Sequence, residues 1–149
     1  LAFSSGQRAL DAGNIVCLED ELEAAQSELA ELVCAARRHG GLPVVLGGGH
    51  EAAWGSFQGL VRSIEPAPDV CIGIINFDAH FDLRNPRPQP TSGSPFRQIA
   101  GGAPKEIMFL FVGAGTSEAE DLATLRVDPG HHMLGCTVFS GRIHRLKDQ

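Results

Sequence analysis

The sequence has no apolar run of 18 residues, no charged-then-apolar leader, no CxxC pair, no internal repeat and no low-complexity segment. Without the long run no membrane span is expected, and without the leader secretion is not indicated. Without paired cysteines, neither a zinc knuckle nor a thioredoxin-type motif is supported. Cys17, Cys34, Cys71 and Cys136 stand far apart and are expected to be free thiols in a reducing cytoplasm. Cys34 and Cys71 lie among apolar residues and read as small core residues. Positive charge is also short: 12 Lys and Arg against 18 Asp and Glu leave a net charge of −6, which gives nucleic acid or an anionic membrane little to bind. A small-molecule substrate is the expected partner. Leu1 stands where a Met would begin a chain, so a fragment or a processed product is expected.

What is present suffices for one α/β domain: 149 residues, 43% of them hydrophobic, can bury a core. Residues 1–16 carry no period and read as loop. From Leu18, apolar residues recur at Leu22, Ala25, Leu29, Leu32 or Val33, and Ala36, with acids at the start and Arg37 and Arg38 at the end. That is an amphipathic helix whose charges oppose its dipole, ended by Gly40 and Gly41 and kept from resuming by Pro43. Residues 44–46 predict a short strand, and residues 52–64 a helix with Trp54, Phe57, Leu60, Val61 and Ile64 inward. The near-continuous apolar run 70–75 predicts a central strand covered by helices on both faces. Helix alternating with strand implies a parallel sheet. Prolines 86, 88, 90 and 95 hold residues 84–95 in a loop. Further on, residues 107–112 predict a third strand, Gly113-Ala114-Gly115 a turn, and residues 117–125 a short helix. His131-His132 reads as exposed loop and residues 142–147 as a solvated terminus.

The chemistry-bearing stretch is Asn76-Phe77-Asp78-Ala79-His80-Phe81-Asp82 at the end of the central strand. In an extended chain Asp78, His80 and Asp82 would share a face. Two carboxylates and an imidazole suit Mn2+, Zn2+, Fe2+ or Co2+ better than Ca2+. Three fixed letters also fit a strand end whose polar residues merely meet water. Upstream, Gly47-Gly48-Gly49-His50-Glu51 follows the other short strand. In an open α/β sheet two such strand ends can converge on one crevice, although GGGH also fits an ordinary tight turn. Arg84, Arg87 and Arg97 stand near these ligands, and an arginine fork matches a carboxylate; solvated charge is the alternative, and the preferred one for Arg87.

GGGHE, then NFDAHFDLR over residues 76–84, then Thr91-Ser92-Gly93-Ser94-Pro95-Phe96 together resemble the ureohydrolase superfamily of arginase, agmatinase and formimidoylglutamase. GGGHEAAWGSFQGL and the TSGSPF segment are most similar to the formimidoylglutamase branch. Arginase usually has GGDHS, and a histidine where Phe96 stands. The resemblance runs from about Asp11 to Gln98. It implies an arginase-like, three-layer α/β/α fold with a mainly parallel sheet, here incomplete, in one partial domain over residues 1–149 of which 101–149 carry no recognised motif.

The same resemblance implies two Mn2+ ions sharing a hydroxide as the only catalytic group. His50, Asp78 and Asp82 would hold one ion, with Asp78 bridging and His80 serving the other. Arg84 with Ser92, Gly93 and Ser94 would hold the amino-acid end of the substrate, and Arg97 adds a second fork nearby. The implied reaction is hydrolysis of N-formimidoyl-L-glutamate to L-glutamate and formamide, a cytoplasmic step of histidine degradation, by a protein that could form a homo-oligomer. One departure stands out. The superfamily completes its site with aspartates in a later motif like SxDxDxxDP, of which Asp128-Pro129 echoes only the end. A guanidino hydrolase of the agmatinase or arginase type and a non-catalytic truncated remnant are therefore carried as alternatives.

Overall fold

Two glycines on one face of a helix let another helix lie directly against its backbone. In the computed structural model, which describes residues 8–64, 70–102, 107–112, 132–139 and 142–145, helix α1 (Leu22–Arg38) packs on α2 (Ala52–Ile64) in this way. A Cβ on Gly59 would stand 2.5 Å from the Ala30 carbonyl oxygen, and one on Gly55 2.7 Å from that of Gln26. The buried line of α1 is Gln26, Ala30, Val33 and Cys34. Leu18 is exposed and precedes the helix, and Leu32 is exposed while Val33 is buried. The apolar stripe read from the sequence is thus displaced toward a polar residue, because Gln26 has a backbone partner: its Nε2 donates to the Glu51 carbonyl at 2.9 Å. Helix α2 has the predicted bounds, with Phe57 and Val61 buried and Trp54, Leu60 and Ile64 packed around them.

The sheet is formed by β1 (Ile72–Phe77), β2 (Ile107–Val112), β3 (His132–Phe139) and β4 (Arg142–Arg145), in that order. The first three run parallel, with Ile72 opposite Ile107 and Met108 opposite His132; β4 returns antiparallel, with Phe139 opposite Arg142. A third helix, α3 (Pro95–Gly102), packs against α2. One core joins α2, α3, β1 and β2: Phe57, Val61, Ile72, Phe81, Leu83, Phe96, Ile99, Ala100, Ile107 and Phe109. This is the mainly parallel α/β architecture expected.

Several expectations change. Residues 44–46 form no strand among the described residues: Val44 and Leu46 are exposed at 73% and 88%. Apolar sequence does not make a strand without a neighbour to take its backbone hydrogen bonds. On β1, Ile72 and Asn76 are buried while Ile75 and Phe77 are exposed, so helices cover only one face of it among the described residues. Cys71 falls on the uncovered parity and is exposed, contrary to its expected place in the core, while Cys34 is buried; Cys17, Cys34 and Cys71 are free thiols.

Helix α3 has no counterpart among the expected elements. Ser94 followed by Pro95 is a helix-start signal, and Phe96, Ile99 and Ala100 are its inward residues. Residues 142–145, expected in a solvated terminus, pair in the sheet as β4. The expected turn at 113–115 and helix at 117–125 lie outside the described residues. No helix among the described residues is long and apolar enough to cross a membrane.

Gly59→Ala tests the helix contact. Alanine improves helix propensity by about 1 kcal/mol, but an added methyl in a packed contact typically costs about 1–3 kcal/mol, and here it meets backbone, which yields little. A net loss of about 1–2 kcal/mol in chemical denaturation is expected. A variant as stable as the parent would mean that the helices do not meet at Gly59.

Candidate metal centre

The glycine-rich turn sets the first ligand. Gly47 and Gly48 have φ of 87° and 71°, a region that other L-residues enter only with strain. Their turn delivers His50 just before α2, where the His50 carbonyl accepts from Ala53 N–H at 2.9 Å. Behind the imidazole stands Phe96, edge to face with ring centroids 5.2 Å apart. Phe96 in turn meets Phe109 at 6.1 Å, so the ring of His50 is seated on the core.

The carboxylates arrive from the end of β1 by a turn, which corrects the extended alternation read from the sequence. The chain bends at residues 78–80 because Asp78 Oδ1 accepts the His80 backbone N–H at 2.8 Å, a local bond by which Asp side chains close turns. Asn76, buried, holds the other side: its Nδ2 donates to the His80 carbonyl at 3.2 Å. Phe81 and Leu83 then enter the core, and Asp82 between them takes a left-handed φ of 51° at 5% exposure. Outliers of this kind are held by their surroundings and collect at functional sites. The loop is tied to α3 by two bonds, Phe96 N–H to the Asp82 carbonyl at 3.2 Å and Arg97 Nη1 to the Leu83 carbonyl at 3.3 Å, and to the turn before α3 by Arg84 N–H to the Gly93 carbonyl at 2.9 Å.

These local structures bring three ligands together. His50 Nδ1 lies 2.5 Å from Asp82 Oδ2 and 3.3 Å from Asp78 Oδ2, and His50, Asp78 and Asp82 each offer a ligand atom within 4.8 Å of the others. His50 Nδ1 is buried yet makes no hydrogen bond. A buried polar nitrogen without a hydrogen bond, facing two carboxylate oxygens, is a donor set that fits a divalent cation of the Mn2+ or Zn2+ type. His80 is placed differently. Its Nδ1 is 3.1 Å from Asp78 Oδ1, and its side chain is 56% exposed, so it flanks the trio on the outer oxygen of the shared carboxylate. Burial pushes the Asp78 carboxyl up, but the His80 backbone N–H, the His80 ring and the electrostatic attraction of His50 and His80 together hold it below the ordinary aspartate value.

The other sequence candidates gather on the adjoining loop. Arg84 and Ser92 are exposed, Arg97 is half-buried, and Gly93 is buried beneath the Arg84 side chain. Ser94 is fully buried: its hydroxyl donates to the Thr91 carbonyl and accepts the Thr91 N–H, both at 2.9 Å. It closes the turn that starts α3. Asn76 and Phe96 are the supporting residues that sequence reasoning missed as part of the site. In the sequence Phe96 stands out only where arginase has a histidine, and nothing short of the fold shows that it backs His50.

Comparison with known proteins follows the same residues. A family model described as Arginase family matches residues 3–142. The chain is 47% identical over 124 residues to the formimidoylglutamase of Paraburkholderia xenovorans, covering 77% of this chain and 38% of that protein. It is 55% identical over 91 residues to the formimidoylglutamase of Hahella chejuensis, 60% of this chain and 28% of that one. Among solved structures, Trypanosoma cruzi formiminoglutamase with Mn2+ aligns with a TM-score of 0.65 at 28% identity, over 83% of this chain and 41% of that chain. An arginase from Bacillus subtilis shares the fold, with a TM-score of 0.62 at 21% identity over 86% of this chain and 50% of that chain. The chain therefore spans about half or less of the length of each of these proteins.

The lowered Asp78 gives a pH prediction for the metal-free chain. A carboxyl whose folded pKa lies below its unfolded value stabilises the fold above the unfolded pKa and loses that contribution as pH falls through the folded one. The stability difference between the parent and Asp78→Asn should be present at neutral pH and vanish as pH drops below the ordinary aspartate value. Carbon-detected NMR of the Asp78 carboxyl titrating at or above that value would refute the electrostatic reading.

Proposed function

The chain belongs to the arginase family, and from that premise we propose that it carries part of a manganese hydrolase site of the formimidoylglutamase type. The observation that bears most weight is His50 Nδ1, buried without a hydrogen bond and facing Asp78 Oδ2 and Asp82 Oδ2. His50, Asp78 and Asp82 would hold one Mn2+. Asp78 turns its second oxygen to His80, which supports a bridging carboxylate with His80 serving a second ion. Bound manganese would supply Lewis-acid chemistry, making hydroxide available near neutral pH by lowering the pKa of water.

The chain's own residues would hold and orient the substrate. Arg84 and Arg97 come from the loop and helix beside the ligands, and a guanidinium fork pairs with a carboxylate in plane. With Ser92 and Gly93 they form the segment proposed to receive the glutamate end of N-formimidoyl-L-glutamate, while Ser94, fully buried and engaged by Thr91, closes the turn beneath it. In the reaction, water adds its oxygen to the formimidoyl carbon and the bond from that carbon to the glutamate nitrogen breaks, giving formamide and L-glutamate. Formimidoylglutamase is preferred over a guanidino hydrolase because the relatives described above carry that name and because Phe96, packed on His50, is an apolar neighbour.

Equilibrium dialysis against Mn2+ tests the ligand set. Altering supporting residues around a metal typically costs 10–100-fold in affinity, so His50→Gln, Asp82→Asn and His80→Asn should each weaken Mn2+ retention by at least about tenfold with an unchanged far-UV spectrum. Unchanged retention in His80→Asn would remove that residue from the set. Formamide release from N-formimidoyl-L-glutamate by the Mn2+-loaded chain should exceed urea release from arginine or agmatine; the reverse order selects the guanidino reading, and neither product selects a non-catalytic remnant.

A further inference from the structure

We infer that Gly93 is a positioning residue, the surface on which the Arg84 guanidinium lies and by which its carboxylate-binding edge is aimed. The inference rests on the reading of Arg84 as a substrate-carboxylate contact. The reason for a glycine here is unlike that at Gly47 and Gly48. Those two have positive φ, whereas Gly93 does not, so its backbone conformation is open to any residue.

What glycine supplies is room. A Cβ at position 93 would stand 2.6 Å from both Cζ and Nε of Arg84 and 2.9 Å from Nη2, closer than non-bonded atoms of this kind approach. The guanidinium therefore covers the Gly93 Cα. The guanidinium is planar and its N–H donors lie around its edge, so seating one face fixes the direction in which those donors point.

The backbone beneath cannot give way to restore that direction. Arg84 N–H is bonded to the Gly93 carbonyl at 2.9 Å, and Phe96 N–H to the carbonyl of Asp82 at 3.2 Å. The hydroxyl of Ser94, next to Gly93, is engaged on both sides by Thr91. Arg84 is exposed, and the atoms that the methyl would meet are the far end of its side chain. An added methyl would thus displace the guanidinium and leave the fold in place. Gly93 sets specificity for a carboxylate-terminated substrate through Arg84, with no contact of its own required.

A double-mutant cycle read by L-glutamate binding to the full chain tests this, with arginine Nε resonances in 15N NMR as the spectroscopic signature. Arg84→Ala should weaken L-glutamate binding by about tenfold, the usual size for losing a hydrogen bond to a charged group. Gly93→Ala should cause a similar loss and shift the Arg84 Nε resonance. The double variant should bind no worse than Arg84→Ala alone, because Gly93 then has nothing left to position. Parental affinity in Gly93→Ala, or an additive loss in the double variant, overturns the inference while leaving Arg84 as the contact. No loss in Arg84→Ala overturns the carboxylate reading and the inference together. Should Gly93→Ala fail to fold, that failure itself overturns the inference, which requires the added methyl to move the guanidinium and leave the fold in place.

Discussion

A carboxylate at 5% exposure is the constraint around which the site is arranged. Taking the charge of Asp82 out of water is costly unless a partner compensates it, and the turn that puts it there also places it in a left-handed conformation that aspartate tolerates better than most residues. His50 Nδ1 is an atom that faces it. Because that nitrogen comes from a different segment, the Asp82 burial makes the Gly47-Gly48 turn and the end of β1 mutually dependent. The first ligand needs the second, and the second needs a core residue on either side, Phe81 and Leu83, to hold it inward.

Helix α3 serves that arrangement twice over. Its first turn accepts the Asp82 loop through the Phe96 amide, and the Phe96 ring supports the His50 imidazole. One apolar side chain thus links both ligands to β2 through Phe109. The loop and α3 also hold the two arginines: Arg97 reaches back to the Leu83 carbonyl, and Arg84 folds onto Gly93. The candidate metal ligands and the proposed carboxylate contacts therefore share a scaffold of three hydrogen bonds, two between backbone groups and one from the Arg97 side chain, so a disturbance at Ser94 or Pro95 would reach both.

The sequence made α2, β2 and the cluster of His50, Asp78 and Asp82 legible, since each rests on local signals: period, strand composition, and motif letters beside glycine. Three kinds of fact were not local. Whether residues 44–46 find a neighbouring strand depends on sheet order, and their composition cannot report it. Gln26 is buried because Glu51, twenty-five residues away, presents a carbonyl to it. The convergence of Asp78 and Asp82 looked like strand alternation but is produced by a side-chain-closed turn at His80, which leaves His80 itself on the outer edge. Cys71 was misplaced for the related reason that an apolar run does not announce which of its parities faces the helices.

That parity has a colloidal meaning. Ile75 and Phe77 on β1 and Cys71 just before it form one stripe, and β1 ends the strand order, so among the described residues an apolar stripe lies beside a backbone edge. Such an edge is a template for an extended segment of another chain, and the stripe supplies contact area for it. The net charge of −6 opposes that contact at long range and weakens with added salt. Among the described residues, surface charge and the edge of a six-residue strand act in opposite directions, and ionic strength sets their balance.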